Sequence, residues 1–325
     1  MVAKSKLEQL LRSGIKAPSG HNTQPWRFKI DDSEIQIHPD FTRALSIVDK
    51  DNHALYISLG CAAENIVIAS THEGLDHELD LSRDPEGNDF ITIKFVPGES
   101  VKPDDLFYSI GSRQSRRNKY TDQKVSDEDL NKLRESFDFE GIGLLTFTDR
   151  ENIDSLLPFI IEGSNLQFKN REFLEELVSW IRFSKKEALK KKDGVWAASM
   201  GMPGVGHRIG AFFMRNFVSD KSEAKRWKDL INASAGLALF ISNENDTKHW
   251  VNLGRAFQRF GLSATKLNIS HAHLNMPCEE VEVRKALAHN LNLEGKHPLL
   301  LLRFGYSEEM PYSFRRDISE VLIGN

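Results

Sequence analysis

Two short segments of this 325-residue chain carry residue types at spacings suited to gripping a flat, phosphorylated molecule. The run Ser112, Arg113, Gln114, Ser115, Arg116, Arg117, Asn118, Lys119, Tyr120 sets Arg113, Ser115 and Arg117 at alternate positions. In an extended segment, or one leaving a helix end, alternate side chains converge. Two guanidinium forks and a hydroxyl are the donors a phosphate monoester dianion needs. The second segment runs from Ala17 to Phe28. Here Pro18, Ser19 and Gly20 let the backbone approach a planar ring, while Asn22 and Gln24 offer amide donors and acceptors to its polar edge. Taken singly, clustered arginines form a solvated face, and Ser19, Asn22 and Gln24 are turn and cap groups.

The elements around these segments alternate helix and strand. A helix is expected over Lys4 to Lys16, then a loop through Pro18 and Pro25, then strands near Trp26 to Ile30 and Glu34 to His38. A strong helix, Ala54 to Glu73, ends at Gly74, and a strand follows over Phe90 to Val96. Next come a helix near Pro103 to Gly111 and another from Ser126, where Ser126 and Asp129 fit a capping arrangement. An internal match supports duplication. Leu59, Gly60, Glu64, Ile68 and Ser70 align without gaps with Leu253, Gly254, Gln258, Leu262 and Ala264. The expectation is α+β: two homologous halves, 1–105 and 106–325, each helix, strand, helix, strand. An insertion over about 159–217 interrupts the second half. Its helix ends in Lys190 to Lys192, and a segment rich in glycine and methionine follows. That segment fits a lid over a flat ligand or a surface loop packed on its own lobe.

Totals narrow the function. Charged residues are 28% and net charge is −4, so no general polyanion or nucleic-acid surface is expected, and any basic site is local. Cys61 and Cys278 are too few for a disulfide framework, which points to a reducing cytosol. Met1 to Ile15 lacks a signal-peptide core, and the longest apolar runs, such as Leu299 to Leu302, suggest strands rather than a membrane span. No metal is expected, because His271 and His273 have no carboxylate or cysteine pair at ligand spacing. Neither a GxGxxG nor a nucleophile motif occurs.

The Ala17 to Phe28 segment resembles the signature of the FMN-dependent nitroreductase superfamily, and Arg113, Ser115 and Arg117 look like the clamp that opens its subunits. A third piece is also similar to the family: Gly305, Tyr306, Pro311, Arg315 and Arg316 after the strand Leu299 to Phe304. The resemblance implies FMN, with Pro18, Ser19, Gly20, Asn22 and Gln24 at the ring. It implies Arg113, Gln114, Ser115, Arg117 and Arg315 or Arg316 at the phosphate, and NAD(P)H as a transient electron donor. Asn275 lies in the segment Ser270 to Pro277, which replaces the acid and glycine pair many active members place near flavin N5; it too is assigned to the cofactor. His21 either joins the ring contacts or faces solvent. The separation of ring motif and clamp into different halves is similar to the fused, single-chain Acg-like branch, where one chain imitates a dimer. One complete site is expected. The mirror site has only Arg12 and Lys16 near its clamp position and Pro97, Gly98 and Glu99 where the arginine pair would stand. Two functions follow from the resemblance: hydride transfer to a nitro, quinone or other electron-poor acceptor, or FMN storage under a closed lid. The partner is a small molecule, and a further homodimer stays open.

Overall fold

The computed structural model describes residues 2–98 and 100–324; Met1, Asn325 and Glu99, the last residue of the expected empty arginine position, lie outside them. Helix α1 (Lys4–Gly14) buries Leu7, Leu10 and Leu11 on one side. A hairpin follows, β1 (Trp26–Asp31) and β2 (Glu34–Pro39), whose alternation buries Trp26, Phe28, Ile35 and Ile37. Helix α2 (His53–His72) leads to β3 (Leu75–Arg83) and β4 (Asp89–Pro97). Gly74, at φ 66, closes α2 by the left-handed step expected there.

Where a helix was expected over Pro103 to Gly111, only a 3-10 turn forms, Asp105–Ser109. The Asp104 side chain caps it by accepting from Leu106 N, and a single α-type bond, Arg113 N to Ser109 O at 2.9 Å, ends the turn where the arginine segment begins. Helix α3 (Asp127–Arg134) starts as its sequence indicates: Ser126 Oγ accepts from Asp129 N at 3.1 Å. Strand β5 (Ile142–Phe147) precedes a long insertion of α4 (Arg150–Lys169), α5 (Arg171–Trp180), β6 (Ile181–Arg182), α6 (Lys185–Lys191), β7 (Val195–Trp196), α7 (His207–Phe217) and α8 (Asp220–Asn232). The remainder is β8 (Gly236–Ser242), α9 (Thr247–Lys266), β9 (Ser270–His273), α10 (Met276–Glu279), α11 (Val281–Asn290), β10 (His297–Gly305) and α12 (Ile318–Val321).

The two main sheets are antiparallel and share one plan. The first has the order β1-β2-β4-β3 and the second β5-β8-β10-β9. Numbered within each sheet, both read first, second, fourth, third, with a 20-residue helix between the second and third strands. This corrects the expected helix, strand, helix, strand rhythm. Strand β3 was unread because its polar residues obscure the alternation of Leu75, Leu79 and Leu81. Helix α4 runs unbroken through Pro158, and α8 is packed on α4.

Helices α2 and α9 cross face to face between the sheets, and the crossing explains the internal match. A Cβ on Gly60 would stand 2.1 Å from the Val251 carbonyl oxygen, and one on Gly254 would stand 2.0 Å from that of Ile57. The aligned pair Glu64 and Gln258 is buried nearby. Glu64 binds Arg255 and Arg259 at 2.8 and 2.9 Å, and Gln258 donates to Asn65 at 2.6 Å. Helix α2 is a longer apolar stretch than the strands expected from sequence. An 18-residue window averages 1.3 in hydropathy, long and apolar enough to span a membrane, yet 89% of it is buried inside the protein. Cys61 and Cys278 are free and buried, and burial pushes both thiols up.

Candidate anion and ring site

After Gly305 the chain leaves β10 and crosses to the first lobe, where Leu322 bridges Phe28 and Ile323 N donates to Phe28 O at 2.7 Å. This crossing carries Arg315 past the opening loop. The arginine segment meanwhile runs extended along β9: Ser115 bridges His271, and Arg116 N donates to His271 O at 3.0 Å. Arg116 is drawn off to Ser307 O and Ser270 Oγ. Gln114 exchanges two hydrogen bonds with the Met310 backbone.

Arg113, Arg117 and Arg315 meet at one cavity of about 480 Å³, within the usual size of small-molecule sites. None of the three has an ion pair among the described residues. Arg113 is 6% exposed, and its Nε and Nη1 have no hydrogen-bond partner; Arg315 Nε is likewise unpartnered. Burial, with Arg117 adding repulsion, pulls Arg113 down to about 10; burial with Arg113 and Arg117 pulls Arg315 down to about 9. A buried cation with two half-buried ones beside it and no counter-charge is costly, and an anion offsets that cost. Two histidines beside them are held neutral. Burial and then Arg117 lower His21 to about 4, and burial with Arg117, Arg113 and His21 lowers His273 to about 3.

The opening loop is wound tightly: His21, Asn22 and Gln24 have φ of 45, 55 and 53°, the left-handed region that non-glycine residues enter at a cost. Ser19 Oγ accepts from Gln24 N at 2.9 Å and closes the turn. Asn22 Nδ2 donates to Gly194 O at 2.9 Å and Phe314 O at 3.1 Å, and Asn22 O accepts from Gly194 N at 3.1 Å. Asn22 Oδ1 stays buried without a partner.

Of the residues singled out from sequence, Pro18, Ser19, Gly20, Asn22, Arg113, Gln114, Ser115, Arg117, Asn275 and Arg315 line the cavity. Two do not. Gln24 is fully buried behind the loop, donating to Lys192 O at 2.9 Å and accepting from Arg316 N at 2.8 Å. It is a buckle between loop, insertion and tail rather than a ring contact. Arg316 points away, donating to Gln24 O and Glu320 O and lying 3.9 Å from Asp40. Of the two C-terminal arginines, Arg315 lines the cavity and Arg316 does not. His273, weighed from sequence only as a metal ligand, also lines the cavity, and sequence reasoning missed Arg303, Arg226 and Trp227. A lone arginine inside the apolar run Leu299 to Phe304 was the available signal for Arg303. Nothing marked α8 in advance.

The buckle predicts a measurable opening. Gln24→Ala removes hydrogen bonds that together stabilise by about 1–3 kcal/mol. Proteolysis within 184–206 should speed up in this variant, and an unchanged cleavage rate would show that the insertion is held otherwise.

One charged cluster at the cavity margin gives a pH prediction. His53 Nδ1 lies 2.5 Å from Asp51 and 3.1 Å from Asp49, and Asp49 also accepts from Ala54 N and Leu55 N. Burial opposes the charge on His53, but hydrogen bonds to Asp49 and Asp51 outweigh it and hold the imidazole up at about 9. A raised pKa stabilises the fold below about pH 6.5, and that stabilisation is lost as pH climbs through about 9. The stability gap between wild type and His53→Gln, measured by urea unfolding, should shrink by on the order of 3 kcal/mol from pH 6 to pH 10. A gap independent of pH would rule out the ion pair.

No family model matches the chain. Two proteins of Mycobacterium tuberculosis, strains CDC 1551 / Oshkosh and ATCC 25618 / H37Rv, are each 22% identical over 96% of this chain and 90% of their own length. Both are named "Putative NAD(P)H nitroreductase". Among solved structures, a nitroreductase with bound FMN from Bacteroides fragilis is 14% identical, covering 66% of this chain and 94% of its own, with a TM-score of 0.39. The FMN-dependent nitroreductase NfnB from Mycobacterium smegmatis, in complex with NADPH, is 13% identical over 67% and 96%, with a TM-score of 0.45. An NADPH:FMN oxidoreductase from Vibrio harveyi is 11% identical over 66% and 73%, with a TM-score of 0.38.

Proposed function

We propose that this chain, a nitroreductase-superfamily protein by its likeness along 96% of its length, is an FMN-dependent oxidoreductase that takes electrons from NADH or NADPH. The electrons pass to a nitro compound, a quinone or a similar electron-poor acceptor. One observation carries the cofactor assignment: Arg113, Arg117 and Arg315 line one cavity of flavin-compatible size, and Arg113 Nε and Nη1 and Arg315 Nε are buried without hydrogen-bond partners. Arg113, Arg117, Arg315 and the Ser115 hydroxyl would hold the phosphate. Pro18, Ser19 and Gly20 would bring backbone against the ring, and the free Asn22 Oδ1 would accept from a ring N–H. FMN, when bound, supplies the electron-transfer chemistry, and the protein supplies position, charge and exclusion of water. His21 and His273 remain neutral, so they add no further positive charge beside the clamp.

The halves 1–105 and 106–325 stand, in this reading, for two subunits joined in one chain. The shared strand order and the reciprocal glycine crossing support it. The ring loop comes from one half and the clamp from the other, so one chain makes one site.

The insertion favours a second reading, FMN storage. Phe168, Phe173, Leu177, Met200, Met202 and Met214 line the cavity from the insertion, and the Gln24 buckle ties that segment down. Anaerobic stopped-flow mixing of the yellow protein with NADPH and NADH separates the two. Bleaching within seconds is expected for the oxidoreductase, whereas a spectrum unchanged over many minutes would establish storage. A colourless protein that refuses added FMN would end both readings.

A further inference from the structure

The clamp does not account for every unpaired cation in the cavity. Arg303 sits near the C-terminal end of β10 and is 1% exposed, yet it has no ion pair among the described residues. Its Nη2 donates to Asn118 O at 2.9 Å, while Nε and Nη1 are buried without partners. The guanidinium lies 3.9 Å over the Tyr120 ring, and the residue lines the cavity.

Its side of the sheet differs from that of Arg113, while Arg117 stands close enough to both to feel the charges of Arg303 and Arg226. Opposed residues of an antiparallel pair share a face, and Arg303 opposes Leu237 on β8 and Ala272 on β9. Leu237 and Leu301 belong to the core under α4, α8 and α10, so Arg303 emerges on that face of the second sheet. Arg113 lies on the other face, beside Gly261 of α9, where a Cβ would meet its Cδ at 3.5 Å. The cavity is therefore lined by cations from both faces of the second sheet. Helix α8 adds Arg226, stacked 4.2 Å over Trp227. Arg226 is paired with Glu223 at 3.1 Å, so the end formed by Arg303, Arg226 and Glu223 keeps one uncompensated positive charge. Burial, together with Arg226, lowers the Arg303 pKa, the mark of a cation lacking its anion.

We propose that Arg303, supported by Arg226 and Trp227, is an anion-recognising subsite that selects a carboxylate- or phosphate-bearing planar molecule as the partner in electron exchange. The inference rests on the oxidoreductase reading and deepens it by naming the substrate class. The same chemistry could come from an aromatic acid acceptor or from the phosphates of the nicotinamide donor.

Calorimetric titration of the flavin-loaded protein distinguishes these sources without relying on turnover. One arm compares 4-nitrobenzoate with 4-nitrobenzyl alcohol, and the other NADP+ with NAD+. At least one arm should show the more anionic member binding about tenfold to a hundredfold tighter, and that arm identifies the source. Arg303→Leu should abolish the preference and Arg303→Lys should retain part of it, with FMN affinity unchanged in both. If neither arm discriminates in the wild type, or Arg303→Leu keeps the preference, the subsite does not exist. If Arg303→Leu instead sheds FMN, Arg226→Gln decides: a reduced preference supports the subsite, and an unchanged one overturns it. Flavin content is read separately from the visible spectrum. A protein that refuses FMN overturns the oxidoreductase reading and this one together, whereas a yellow protein blind to charge overturns only this one.

Discussion

Arg113→Met should bind FMN about tenfold to a hundredfold more weakly than wild type while its flavin-free form melts at a higher temperature. The affinity loss follows from removing a charge-assisted contact to phosphate, worth about 1.5–3 kcal/mol. The stability gain has the same origin. Without an anion, Arg113 is a buried guanidinium with two unpartnered nitrogens beside Arg117 and Arg315, and its charge is a cost to the fold. Methionine keeps much of the aliphatic stem in place and removes only that cost. Fluorescence titration with FMN gives the first quantity, and calorimetric melting with and without inorganic phosphate gives the second. Phosphate should raise the wild-type melting temperature and have less effect on the variant. An Arg113→Met protein that retains FMN as tightly as wild type would remove the clamp from the argument.

Gly254→Ala should destabilise the protein by about 3 kcal/mol or more, a large effect for one methyl group. The new Cβ would stand 2.0 Å from the Ile57 carbonyl oxygen, and that oxygen belongs to helix backbone, which cannot rotate out of the way as a side chain could. The helices would have to separate along the crossing that joins the two sheets. Gly60→Ala meets the Val251 carbonyl at 2.1 Å and should cost a similar amount. Urea unfolding of both variants tests this, and losses below about 1 kcal/mol would mean that the crossing is looser than described.

The sequence by itself determined the local parts of the site. The alternate spacing of Arg113, Ser115 and Arg117 needed only an extended backbone to converge, and β9 supplies that backbone through the Ser115 to His271 bridge. The loop at Pro18 to Asn22 was legible as well, because Pro18, Ser19, Gly20 and Asn22 are small or turn-forming residues, although nothing marked the left-handed backbone of His21. The constant offset between Leu59, Gly60 and Leu253, Gly254 was also visible, since both helices need glycine at the same contact. Amide side chains were less legible. Asn22 and Gln24 carry the same groups two residues apart, yet Asn22 keeps a free oxygen at the cavity while Gln24 is consumed by Lys192 O and Arg316 N.

Only the tertiary structure decided between Arg315 and Arg316, because the tail has no helical or strand period there and its direction is set by docking on β1. Arg303 lay hidden for a related reason. A strand's pattern says which residues share a face, but not that one face would open onto a cavity roofed by a helix some seventy residues earlier. Spacing along the chain governs what neighbouring side chains can do together, and packing between distant segments governs which of them are left without partners.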